Sequence, residues 1–189
     1  MRRLGVALFT YLFCFAASAQ LQPGNTPPDD LGSTLDGTHI RLSTLQGKVV
    51  VISFWATWCS YCMKEMPVLA GLQTLAAQRH LPLQVVYVNS KESHHIFATV
   101  AHALNQRMPT LLITSDLHGN IGKPYGADKF LPVMVMLHRD GTIADIHRGY
   151  DEKDLDGLLA EITALLNEPA PAPAGLGTVY AAPATRPDR

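Results

Sequence analysis

The sequence predicts an α/β domain in which helices cover both faces of a central sheet. Three continuous apolar runs of strand length predict buried strands, VVVISFWA at 49–56, LQVVYVN at 83–89 and LPVMVML at 131–137. Segments with helical spacing predict three helices, at 63–79, 91–107 and 151–166. Strands that alternate with helices in this way are typical of a sheet enclosed between two layers.

The remaining elements complete the sheet at both ends. Asp36-Gly37, which precedes the alternating Ile40 and Leu42, predicts a β-hairpin before the first buried strand. Residues 110–114 predict a short strand, and His138-Arg139-Asp140-Gly141 predicts a turn into an antiparallel partner at 142–149. Asp151 is expected to cap the last helix.

Composition limits the classes of function. The chain has 189 residues, a net charge of −1 and 47% hydrophobic residues, which suffices for one domain with its own core. No basic run or basic patch stands out, so nucleic acid is not expected as a partner.

The first 19 residues have the pattern of an export signal. Arg2 and Arg3 precede an apolar run, and Ala17-Ser18-Ala19 is a small-x-small cleavage pattern. We expect cleavage after Ala19 and a periplasmic location, with a retained N-terminal anchor as the alternative. The expected organisation is a signal peptide at 1–19, a flexible leader at 20–32, a domain at 33–167 and a disordered Pro/Ala-rich tail at 168–189.

Removal of the signal would leave two cysteines, Cys59 and Cys62, which could form a metal site, a structural disulfide or a redox-active pair. A zinc site needs about four ligands, and only one such pair is present. A structural disulfide that closes so small a loop would add little stability. A redox-active pair accounts for the context best. A strand followed directly by Cys-x-x-Cys and a helix places Cys59 at a helix N-terminus, where a thiolate is stabilised.

The motifs resemble those of the exported thioredoxin-fold proteins of the TlpA/ResA type, which include reductases of cytochrome c maturation. The resemblance covers most of residues 33–166. It is carried by the lead-in LSTLQGK, the segment FWATWCSYCMKEMP, VVYVN followed by Glu92, KPYGA, and a proline-strand-RDG-strand ending. It implies a thioredoxin-like fold with a central mixed sheet and an N-terminal β-hairpin extension.

The resemblance also implies roles for single residues. Cys59 would attack a client disulfide and Cys62 would resolve the mixed disulfide. Pro132 stands where the family has a cis-proline, and it would present the backbone of Leu131 to a client peptide; a trans proline that starts a strand is the alternative. Trp58 would flank the cysteines.

Glu92 stands where we expect relatives to carry a partly buried acid, which would exchange a proton with Cys62. The alternative is an exposed residue in the first turn of a helix. Ser53 occupies the strand position at which many cytosolic thioredoxins carry a buried aspartate. Lys64 and Glu65 are expected to be solvated.

The predicted function is an exported thiol–disulfide oxidoreductase, most simply a reductase of client proteins with cysteine pairs, supplied with electrons by a membrane reductase. The Ser60-Tyr61 dipeptide departs from reductive relatives and keeps an oxidase or isomerase as an alternative. A non-catalytic metal or copper-delivery module that uses Cys59, Cys62 and a histidine is a weaker alternative, and His94, His95 and His102 could share a helical face. We expect a monomer without cofactor or metal.

Overall fold

The computed structural model describes residues 20–171, which form one seven-stranded mixed sheet with strand order β2-β1-β5-β4-β3-β6-β7. The strands are β1 (Asp30–Ser33), β2 (His39–Arg41), β3 (Val49–Trp55), β4 (Leu83–Ser90), β5 (Leu112–Asp116), β6 (Val133–Leu137) and β7 (Ile143–Arg148). The helices are α1 (Ser60–Gln78), α2 (His94–Arg107) and α3 (Leu155–Leu166).

The central strand is β3, and all of its residues are buried, as the continuous apolar run predicts. It pairs in parallel with β4 and antiparallel with β6. The next parallel strand, β5, begins at Leu112 rather than at the predicted Thr110. The reason is a turn, in which the Leu111 N–H donates to the Met108 carbonyl at 3.1 Å before the ladder with β4 starts.

All three α-helices contribute to the apolar core on one face of the sheet. The connections β3–α1–β4 and β4–α2–β5 step in the same direction across the sheet, and right-handed crossovers then place both helices on the same face. The helical part of this core consists mainly of Met66, Leu69, Phe97, Ala101, Leu104, Leu158, Ile162 and Leu165. The opposite face is covered by 3₁₀ turns at Leu42–Leu45 and Lys123–Tyr125. Helical segments therefore cover both faces, as predicted, but the three α-helices share one face and the 3₁₀ turns cover the other.

The segment 20–32 differs from the flexible leader that the sequence predicts. The Leu21 N–H donates to the Pro124 carbonyl at 3.0 Å, and Gly24 and Asn25 exchange backbone hydrogen bonds with Ile143 at 2.7 and 2.9 Å. Leu31 in β1 is fully buried. The proline, glycine and aspartate residues of this segment predict a loop. Its backbone is nevertheless ordered, because it forms hydrogen bonds with strands and turns that are distant in the sequence. The predicted hairpin follows, with β1 and β2 antiparallel around Asp36-Gly37.

The C-terminal end of the domain is attached to the turn between β6 and β7. Arg139 donates to the Leu166 carbonyl at 2.8 Å, and His138 pairs with Glu168 at 2.8 Å. Asp151 accepts from the Lys153 N–H and caps a 3₁₀ turn before α3, not α3 itself. The expected signal peptide and the tail beyond residue 171 lie outside the described residues. Between residues 20 and 171, none of the helices combines the length and apolarity that a membrane span requires.

Gly32 provides a test of how the N-terminal strand docks. It has a φ of +85°, and a Cβ at this position would lie 2.4 Å from the Ser115 carbonyl oxygen on β5. We expect Gly32→Ala to lower the free energy of unfolding by about 1–3 kcal/mol more than Gly37→Ala does. Gly37 has the same φ, but its Cβ would meet no atom within 4 Å. Urea unfolding of both variants measures the difference. Equal losses of unfolding free energy would mean that β1 and β5 can move apart at Gly32 without cost.

Candidate active site

The two cysteines lie where β3 ends and α1 begins, and they form a disulfide. Cys59 is the N-cap residue of α1, and its sulfur accepts the Cys62 N–H at 3.2 Å. This confirms the predicted placement of Cys59 at the helix N-terminus. The free N–H groups of a first helical turn and the positive end of the helix dipole stabilise a thiolate in this position.

The two cysteines differ slightly in exposure, and Cys59 is the more accessible of the two. Cys62 is fully buried and Cys59 retains 5% of its surface. Leu131 packs against the core cluster to which both cysteines belong, and only an edge of Cys59 is accessible. Reaction with another protein must therefore occur at this edge.

Apolar side chains surround that edge and are themselves exposed. Trp58 is 73% exposed and Tyr61 57% exposed, so both stand in solvent beside the disulfide. Phe130, which directly precedes Leu131 in the sequence, is 63% exposed. Trp55, the last residue of β3, is by contrast fully buried. Exposed aromatic side chains beside a reactive bond form a surface suited to contact with a client protein.

The loop opposite the cysteines carries the predicted proline. The Leu131–Pro132 peptide bond is cis, which confirms the expectation from the resemblance. Strand pairing starts at Val133, and the Pro132 carbonyl accepts the Gly149 N–H at 2.9 Å. Within the described residues, neither the N–H nor the carbonyl of Leu131 forms a hydrogen bond. The backbone of Leu131 is thus available for pairing with a peptide.

Glu92 is buried, with 5% of its surface exposed, which contradicts the alternative of a solvated first-turn residue. Its carboxylate accepts the Thr57 N–H at 2.9 Å, the Thr57 hydroxyl, and the Asn89 side-chain N–H at 2.6 Å. These three donors fix the position of the carboxylate. Among the described residues, neither oxygen forms a hydrogen bond to a cysteine. The contacts hold the loop that precedes Trp58 and Cys59.

A second acid, Glu65, lies in the core beside the cysteines, and the prediction that it is solvated is wrong. Glu65 is fully buried, one helical turn after Cys62 on the same face of α1. The Ser53 hydroxyl donates to Glu65 Oε1 at 2.7 Å, from the strand position discussed above. Burial raises the pKa of Glu65 to about 7, opposed by the Ser53 hydrogen bond and the positive charge of His147. Lys64, by contrast, is solvent-exposed, as expected.

The spacing of the helix could have indicated Glu65. Cys62, Met66 and Leu69 lie on the buried face of α1, and Glu65 falls on that face at three residues from Cys62. A charged residue just after a helix start is usually solvated, and for this reason Glu65 was predicted to be exposed.

The positive charge near Glu65 comes from a cluster on the outer part of the sheet. His147 of β7 pairs with Glu161 of α3 at 2.8 Å and with Asp145 at 3.4 Å. The three groups lie within 4.8 Å of one another and are partly exposed. A hydrogen bond from His147 to Glu161, which becomes an ion pair when the imidazole is protonated, holds the cluster together.

Comparisons with known proteins match this architecture. A family model described as Redoxin matches residues 22–162. Thioredoxin-like protein YneN of Bacillus subtilis is 32% identical over 129 residues, 68% of this chain and 73% of that protein. Thiol-disulfide oxidoreductase ResA of Bacillus thuringiensis is 29% identical over 161 residues, 84% of this chain and 90% of that protein. The solution structure of a putative protein disulfide isomerase from Bacteroides thetaiotaomicron aligns with a TM-score of 0.66 at 27% identity, covering 78% and 92% of the two chains.

Glu65 should make the stability of the oxidised protein depend on pH. Its pKa is raised in the folded state from 4.5 to about 7, so the folded protein binds more protons between these values. The free energy of unfolding should therefore fall as pH rises from about 4.5 to about 7, by at most about 3 kcal/mol. Urea unfolding at several pH values should show that Glu65→Gln removes this part of the slope. Glu152→Gln, a change at an exposed carboxylate, should keep it. A slope unchanged in Glu65→Gln would contradict the raised pKa.

Proposed function

The chain belongs to the Redoxin family and is a thiol–disulfide oxidoreductase with the redox-active pair Cys59–Cys62, and we propose that it reduces disulfides of client proteins. The observation that carries the proposal is the hydrogen bond from the Cys62 N–H to the sulfur of Cys59 at the start of α1. In the reduced protein the same N–H would donate to the Cys59 thiolate. This hydrogen bond stabilises the thiolate, so it lowers the pKa of Cys59 and supplies the nucleophile.

The reaction passes two electrons from the pair to the client. The Cys59 thiolate bonds to one client sulfur as the client S–S bond breaks, and the released client thiolate takes a proton from solvent. Cys62 then loses its proton and attacks the Cys59 sulfur, and the second client thiolate leaves. The product is the Cys59–Cys62 disulfide.

We assign the proton from Cys62 to Glu65 rather than to Glu92. Glu65 is buried one turn from Cys62, and with a pKa of about 7 its carboxylate is a matched acceptor near neutral pH. Glu92 already accepts three hydrogen bonds from Thr57 and Asn89. Its proposed part is to hold the loop that carries Trp58 and Cys59 in place.

Client binding is assigned to the surface around the disulfide edge. Leu131 would pair with an extended client segment through its free backbone groups, and Pro132 sets the position of that backbone beside the cysteines. Trp58 and Tyr61 would contact apolar client side chains. A cleft of about 580 Å³ that includes Tyr61, Leu131 and Pro132 offers room for one such side chain.

The setting proposed for this reaction is the periplasm, with a membrane reductase as electron donor and cytochrome c maturation as one use. The signal pattern at 1–19 supports export. Because disulfides persist in an oxidising compartment, a reductase there needs a continuous supply of electrons from the cytoplasmic side. The protein is expected to act as a monomer.

A disulfide oxidase or isomerase is the second candidate function. Ser60-Tyr61 between the cysteines supports it, as does the likeness to a putative protein disulfide isomerase. The residues between the cysteines influence the reduction potential, so this measurement separates the candidates.

Two cysteine variants test the chemistry. Cys59→Ser should abolish reduction of insulin disulfides, because the nucleophile is lost. Cys62→Ser should retain the attack and accumulate a mixed disulfide with the client, visible as a mass adduct that dithiothreitol releases. If both variants reduced insulin like the unmodified protein, the assignment would fail.

The direction of electron flow is tested by equilibrating the pair with glutathione. A reductase is expected to have a potential near that of thioredoxin, about −270 mV. A value well above about −200 mV would favour the oxidase or isomerase instead. Quantifying the reduced fraction by thiol alkylation and mass spectrometry gives the potential directly.

A further inference from the structure

We propose that Tyr87 is a positioning residue for Glu65, whose hydroxyl donates a hydrogen bond into the Ser53–Glu65 pair and stabilises the ionised carboxylate. This inference rests on the proposed role of Glu65 as proton acceptor for Cys62. It adds the residue that sets the pH at which that acceptor is ready.

The register of the sheet brings the three residues together. Ser53 and Tyr87 are direct partners in the parallel ladder between β3 and β4, so their side chains point to the same face. That face is the one covered by α1, from which Glu65 reaches Ser53 Oγ. Ser53, Glu65 and Tyr87 all have no exposed surface.

Two polar atoms at this place lack partners. Within residues 20–171, Glu65 Oε2 and the Tyr87 hydroxyl are buried and form no hydrogen bond. A buried polar atom without a partner is destabilising, and more so when it is charged. A carboxylate oxygen needs a donor and a phenol supplies one, so the two atoms satisfy each other's requirement with a small side-chain rotation or one intervening water.

Tyr87 remains a donor throughout the pH range in which Glu65 titrates. Burial, and then the negative charge of Glu65, raise the pKa of Tyr87 well above 10, while the Ser53 hydroxyl opposes this shift. The ladder pairing of Tyr87 with Ser53, whose hydroxyl donates to Glu65, places the phenol next to this pair. The phenol therefore keeps its proton when the carboxylate loses its own.

The other titratable groups around the pair come from the outer part of the sheet. His147 of β7 acts on Glu65, and Tyr150, in the loop after β7, acts on Tyr87. His147 is held by Glu161 of α3 and by Asp145. Met134 occupies the β6 position between Ser53 and His147 in the ladder, so these groups reach Glu65 across an apolar side chain.

Removal of the phenol oxygen should therefore leave the Glu65 carboxylate with one donor instead of two. The carboxylate becomes less stable, the pKa of Glu65 rises, and near neutral pH a larger fraction of Glu65 is already protonated. Such protein cannot accept the proton of Cys62, so closure of the Cys59–Cys62 disulfide slows at a pH where the unmodified protein still reacts.

The experiment follows oxidation of the reduced full-length protein by oxidised glutathione between pH 5 and 9. In Tyr87→Phe, the Glu65-dependent inflection in the rate of disulfide closure should move up by about one pH unit, a tenfold change in the proton equilibrium. Tyr125→Phe is the matched control. Its hydroxyl is also buried without a partner among the described residues, but it lies on the opposite face of the sheet, against Phe54. The control should keep the inflection of the unmodified protein.

The outcomes separate this inference from the proposed function. Glu65→Gln should remove the inflection; if the inflection persists there, the role of Glu65 itself is wrong. If Glu65→Gln removes it and Tyr87→Phe leaves it in place, only the role of Tyr87 is overturned. An equal shift in Tyr125→Phe would also overturn it, since the effect would not depend on this site.

An infrared measurement tests the same contact without altering Tyr87. The carboxyl band of protonated Glu65 in the oxidised protein can be identified by its loss in Glu65→Gln. A band at the low frequency typical of a carboxyl group with two hydrogen bonds supports the inference. A band at the frequency of a singly bonded group, with Ser53 as its only partner, overturns it.

Discussion

The hydrogen bond between the Cys62 N–H and the Cys59 sulfur depends on how β3 delivers the chain to α1. The strand is buried on both faces and is fixed by pairing with β4 and β6, so its end has a defined position. The Cys59 N–H, which donates to the Ala56 carbonyl at 3.1 Å, closes the intervening turn. The sulfur is thus held at the helix start by the centre of the core, and this placement makes one of two chemically identical groups the nucleophile.

A buried carboxyl group beside this helix start is the second constraint on the chemistry. The site needs a group that gains and loses a proton near neutral pH, and an exposed glutamate would be ionised throughout that range. Burial supplies the raised pKa of Glu65, and Ser53 limits how far it rises. Burying an ionised Glu65 destabilises the fold, but the same burial gives Glu65 the pKa that the proposed reaction at Cys62 requires.

The sequence could predict most of this arrangement because its main features are local. The apolar run of β3 and the Cys-x-x-Cys spacing after it specify a strand, a turn and a helix start, and the resemblance adds the cis-proline. The mixed sheet with an N-terminal hairpin was predicted correctly as well. Glu65 was missed because its burial depends on the tertiary packing of α1 against Ser53. The hydrogen bonds of Glu92 could not be predicted for the same reason, because only the folded chain brings Thr57 against its carboxylate.

The N-terminal segment has a consequence for how the domain is tethered. Because Leu21 is hydrogen-bonded to Pro124, and Gly24 to Ile143, the fold takes hold of the chain directly after Gln20. Within the described residues, the chain is therefore fixed to the domain from Leu21 onward, at a point near Pro124. If a membrane anchor preceded this point, it would determine which side of the domain faces the lipid and how far the disulfide edge could move. Without such an anchor, the domain would diffuse and rotate freely.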